Sequence, residues 1–115
     1  MILYNTTFCV DEPYAVELID FLKTTFIPAA YDSGLYHALL TRVRAPREQN
    51  GLNGNYTVSY ALQLRVPTDE ICHKFVDEVL PRIFSNMGHN LQQSLHVYCT
   101  ELDVIHDHDR DGDSR

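Results

Sequence analysis

From residue 56 to residue 66 large and small side chains alternate without a break. Tyr56, Val58, Tyr60, Leu62, Leu64 and Val66 fall on one parity, and Thr57, Ser59, Ala61, Gln63 and Arg65 fall on the other. Successive side chains of a strand point to opposite faces, so this run predicts a strand with one oily face and one small, polar face. Such a strand suits an antiparallel sheet that is packed on one side only.

The remaining segments fit around it. Ile2 to Val10 predicts a first strand, with Ile2, Tyr4, Thr6, Phe8 and Val10 on one parity and Leu3, Asn5, Thr7 and Cys9 on the other. Asp11-Glu12-Pro13 starts a helix, because an acid can accept from the exposed amides and proline suits the first turn. Ala15, Leu18, Ile19, Leu22 and Phe26 form its apolar face. Pro28 predicts the end of the regular helix, and Ser33-Gly34 a stop before a second strand from Leu35 to Arg44. The polar segment Pro46 to Asn55, with Gly51 and Gly54, predicts a hairpin tip. After the third strand, Thr68 caps a helix whose stripe is Ile71, Phe75, Val79, Ile83 and Met87; Pro81 predicts a kink or split, and Gly88 the end. A last strand lies within Leu91 to Ile105, clearest from Leu95 to Val104.

The order is β-α-β-β-α-β. With right-handed crossovers it gives an α+β, ferredoxin-like fold: a four-stranded antiparallel sheet with two helices on one face. At 115 residues there is room for one domain, placed at 1–105, with the acidic segment 106–115 read as a disordered tail. The opposite sheet face carries Asn5, Thr7, Cys9, Thr57, Ser59, Ala61, Gln63 and Arg65. It is too polar for a core and too rich in small residues for a plain solvent face, which predicts a second copy against it. A domain this small also gains from burial in a dimer.

The net charge of −7 excludes most partners with a phosphate backbone, which need a positive surface. No stretch approaches the ~20 apolar residues that span a bilayer. Neither nucleic acid nor membrane is expected as a partner. Three cysteines (Cys9, Cys72 and Cys99) without a C-x-x-C pair point to a reducing, cytoplasmic setting.

The opening Ile2-Leu3-Tyr4-Asn5-Thr6-Thr7-Phe8, the run Phe26-Ile27-Pro28-Ala29-Ala30 followed by Ser33-Gly34-Leu35, the third-strand segment Tyr56 to Gln63, and Thr100-Glu101-Leu102 together resemble a small bacterial family, domain of unknown function 4286. The similarity runs over residues 1–105. It implies a dimeric α+β barrel type of ferredoxin-like domain and brings no catalytic residues with it.

Candidate sites are few. Asp107, Asp109, Asp111 and Gly112 match the start of a calcium loop, but its twelfth-position ligand would fall beyond the chain. None of His37, His73, His89 and His96 has the i,i+4 spacing of a zinc pair. A haem- or metal-handling site would need His37 or His96 with Glu101 or Asp103, so no cofactor or metal is expected. Cys9 and Cys99 lie on strands that this topology makes neighbours. Asp11-Glu12-Pro13 stands where an acylphosphatase-like catalyst needs glycine and arginine. Tyr56 and Tyr60 share the oily parity, away from any RNA-stacking face. The expected function is a non-catalytic homodimeric module that binds a small molecule or protein. The alternative is a small dimeric-barrel enzyme acting on an apolar or aromatic compound. Asn5, Thr7, Thr57, Ser59, Gln63 and Arg65 are the expected ligand or dimer face, with Arg65 anchoring an acidic group.

Overall fold

A computed structural model describes residues 1–44 and 57–108. The predicted hairpin tip at 46–55, Tyr56, and the Asp109, Asp111 and Gly112 of the calcium-like run lie outside the described residues. Strands β1 (Ile2–Asp11), β2 (Tyr36–Arg42), β3 (Thr57–Val66) and β4 (Leu95–Asp103) form one antiparallel sheet in the order β2-β3-β1-β4. Helices α1 (Ala15–Phe21) and α2 (Ile27–Asp32) belong to one rod, and α3 (Asp69–Lys74) and α4 (Leu80–Ser85) to the other. The fold is the expected α+β, ferredoxin-like one.

Parity decides the core. Ile2, Tyr4, Phe8 and Val10 of β1 and Tyr60, Leu62, Leu64 and Val66 of β3 are buried with Leu18, Leu22, Phe26, Phe75 and Ile83 from the helices. Phe26 is the hub, with edge-to-face contacts to Phe8, Phe75 and Phe84 at ring-centre distances of 5.9, 6.2 and 6.0 Å. That geometry sets the positive ring edge against the negative face.

Three local features differ from the expectation. First, Pro28 does not end its rod, and at Pro81 the expected interruption takes the form of a widened turn. Each proline follows a five-residue π-helical turn, Leu22–Phe26 before Pro28 and Phe75–Val79 before Pro81. Ile27 N–H donates to Leu22 and Leu80 N–H to Phe75, five residues back instead of four. The wider turn makes room for a ring that would otherwise crowd the carbonyl four residues earlier. The first rod therefore runs on to Asp32, where Gly34 N–H bonds to Tyr31 O and Leu35 N–H to Ala30 O. Gly34 sits at φ +101°, which glycine adopts without strain. Second, a short helix α5 (His89–Gln93) follows the second rod. Third, Asp11 makes no side-chain cap, whereas Thr68 Oγ1 accepts from Ile71 N–H at 3.2 Å as predicted.

Strand β2 carries a bulge. Tyr36 pairs with Arg65 and Leu39 with Gln63, so three steps on one strand match two on the other. His37 is the extra residue, at φ +54°. The Ala38 amide takes the Tyr31 hydroxyl as acceptor at 3.1 Å.

Candidate functional site

The face away from the helices can be built row by row from the ladder register. Leu102, Leu3, Arg65 and Tyr36 form the row at one end. Thr100, Asn5, Gln63 and Leu39 come next, followed by Tyr98, Thr7, Ala61 and Thr41. His96, Cys9 and Ser59 make the fourth row, to which Val43 is tied by its amide bond to Ser59 O at 2.8 Å. Asp11 and Thr57 close the far end.

The six residues singled out from the sequence therefore share this face, in its two central strands. Asn5 Nδ2 donates to Thr7 Oγ1 at 3.4 Å, and Thr41 Oγ1 donates to the Ala61 carbonyl at 3.2 Å. Arg65 forms an ion pair, Nη1 to Asp107 Oδ2 at 3.2 Å. The segment after β4 thus reaches the end row of the face. Tyr36 leans over the same end, and its hydroxyl meets Met1 Sδ at 3.7 Å.

The sequence reading missed the rim. Tyr36, Leu39 and Val43 on β2 and Tyr98 and Leu102 on β4 are exposed apolar side chains flanking the polar centre. On β4 the signal was available: Tyr98 and Leu102 share a parity with His96 and Thr100. On β2 it was hidden, because the His37 bulge puts Tyr36 and Leu39 on one face although they differ in parity.

Two juxtapositions that the topology left open do not form. Cys9 faces His96 on the open side, while Cys99 faces Thr6 on the helix side, so the sheet separates those two thiols. His37 and His96 lie on opposite edge strands. Among the described residues no group of three His, Cys, Asp or Glu side chains could hold a metal ion, and no helix is long and apolar enough to cross a membrane. A cleft of about 560 Å³ lies between the two helical rods, lined by Thr25, Asp32, Lys74, Arg82 and Asn86 among others. The open sheet face lies on the other side of the molecule.

Comparison with solved structures recovers the same fold. A dimeric ferredoxin-like protein from an uncultured marine organism aligns with a TM-score of 0.63 at 12% identity, covering 96% of this chain and all of that one. A second dimeric ferredoxin-like protein from an uncultured marine organism gives 0.52 at 11% identity, over 92% of this chain and 97% of that one. The designed protein Foldit4 gives 0.58 at 11% identity, over 90% and 97%. No curated protein matches the sequence. The family model for the domain of unknown function DUF4286 matches residues 1–105, and the chain belongs to that family.

Proposed function

We propose that the chain is a homodimeric binding module whose two copies meet through the open sheet face. The observation that carries this reading is the composition of the face. In a chain with 16 Asp and Glu, the ladder rows of this face carry only Asp11 and Arg65 as formally charged side chains, with Asp107 reaching in to pair with Arg65. Five exposed apolar residues rim it. Depletion of charge with aromatic and aliphatic anchors marks the buried part of a protein interface.

The size of the face agrees. Four strands about 4.8 Å apart and about nine residues long at ~3.3 Å per residue give roughly 600 Å² per copy. Two copies would bury about 1,200 Å², at the lower end of stable interfaces. Both marine structures with this fold are described as dimeric, which supports the same reading. The polar centre, Asn5, Thr7, Ser59 and Gln63 with Thr57 and Arg65 towards the ends, supplies donors and acceptors for a small ligand or a partner's backbone held between the sheets.

Ala61→Arg tests the reading, because Ala61 stands between Thr7 and Thr41 near the middle of the face. It sets two guanidinium groups against each other across the interface. The expected result is a folded monomer by circular dichroism and light scattering. An unchanged dimer would place the interface elsewhere. Native mass spectrometry of the parent dimer then reads out any retained small molecule.

A further inference from the structure

The helix-side row where β4 meets β1 gathers groups that the sheet-face reading leaves unused. The register sets Thr6 opposite Cys99 and Tyr4 opposite Glu101. Because β4 is an edge strand, Thr6 and Tyr4 are buried while Cys99 and Glu101 stay exposed. Helix α3 brings down the buried Cys72, whose Sγ donates to Glu101 Oε1 at 3.4 Å. Burial, and next the neighbouring Cys99, Cys72 and Glu101 side chains, push the Tyr4 hydroxyl pKa up. Thr6 Oγ1 is fully buried and unpaired, although its residue faces Cys99 across the ladder. A buried hydroxyl without a partner calls for an explanation. Directly opposite residues hold their Cβ atoms about 4.5–5.5 Å apart, so an oxygen added to the Cys99 sulfur would come within reach of Thr6.

We propose that Cys99 is a peroxide-sensitive thiol whose sulfenic acid is received by the Tyr4 and Thr6 hydroxyls and resolved by Cys72 into a disulfide that ties α3 to edge strand β4. In the first step the Cys99 thiolate attacks hydrogen peroxide. The S–O bond forms, the O–O bond breaks, and hydroxide leaves to become water; Cys99 is oxidised by two electrons and the peroxide is reduced. In the second step Cys72 Sγ attacks Cys99 Sγ. The S–S bond forms, the S–O bond breaks, and the Cys72 proton passes through Glu101 to the departing hydroxide. The sum is two thiols and one peroxide giving one disulfide and two waters.

Exposure assigns the roles. Cys99 is open to solvent and Cys72 is buried. Burial, reinforced by the bond to Glu101, pushes the Cys72 thiol up to about 11, so at neutral pH it keeps its proton and is not the sulfur that peroxide attacks. Cys9 points to the other face of the sheet and cannot resolve. Cys72 stands over Glu101, two residues along β4 from Cys99, or about 6.7 Å. A disulfide needs Cβ atoms about 3.5–4.5 Å apart. Forming the bond therefore requires the backbone of β4, which is hydrogen-bonded on one side only, to move towards α3.

The test treats the full chain with hydrogen peroxide and reads the intact mass and non-reducing peptide map. The expected product has lost two hydrogens and contains a linked Cys72–Cys99 peptide, with the same result for Cys9→Ser. Cys72→Ser should stop at one added oxygen on Cys99, captured by a 1,3-dione reagent, and adding Thr6→Val should shorten the lifetime of that species several-fold. The peptide map of the unsubstituted chain decides the matter even if a variant fails to fold. An unchanged mass, a link to Cys9, or a disulfide between two copies would overturn the proposal.

Discussion

At the scale of single residues, the sites of most interest are those where a polar group is buried against its preference. Thr6 is one. Its hydroxyl lies among the packed side chains of β1 with no partner, so replacing it by an isosteric methyl removes a desolvation cost and no bond. Thr6→Val is expected to raise stability by about 1 kcal/mol, read from the urea midpoint; a loss of stability would mean that the hydroxyl is satisfied in solution. Cys72 is the other. Its folded pKa of about 11 stands above the reference value of 9.0, because burial and then Glu101 disfavour the thiolate. The contribution is therefore complete below pH 9 and is lost as the pH rises towards 11, where the unfolded chain has already released the proton. Tyr4 is shifted in the same direction, chiefly by burial and next by Cys99, and adds to the fall above pH 10.0, where the unfolded phenol ionises. Urea midpoints measured across this window should decline in the parent and decline less steeply in Cys72→Ala. Equal slopes would remove Cys72 as a cause.

At the scale of elements, the strands were far more legible than the interruptions in them. Alternation over β1 and β3 placed every buried side chain of those strands correctly, because period two admits one solution once one face is oily. The π-turns were not legible. A proline inside an apolar stripe reads as a break, and only the backbone shows that a wider turn placed before it absorbs the ring. The β2 bulge was equally silent, since His37 carries no glycine-like signal, yet it re-aims Tyr36 relative to Leu39 and so builds one rim of the site. Gly34 was legible as a stop and is the element-scale residue most exposed to test. Alanine at φ +101° is strained, and its Cβ would also sit 3.4 Å from the Ile71 side chain. Gly34→Ala should cost about 1–2 kcal/mol in thermal or urea unfolding; no loss would mean that the helix ends differently in solution.

At the scale of the whole molecule, the question is why an acidic chain leaves one broad face almost free of charge. The polar centre of that face was legible in the sequence, because it is the minor parity of two well-marked strands. Its apolar rim was not, since β2 is bulged and β4 is exposed along most of its length. In the proposed dimer, cohesion would come from burying the exposed Tyr36, Leu39, Val43, Tyr98 and Leu102, with few charges to desolvate. Salt should therefore weaken self-association little, unlike an assembly held by ion pairs. Sedimentation equilibrium of the full chain at micromolar concentration measures the claim directly. The face predicts a species of twice the 13.2 kDa chain mass. A chain that stays at the mass of one copy throughout would show that the sheet is a solvent-facing surface and that no second copy meets it.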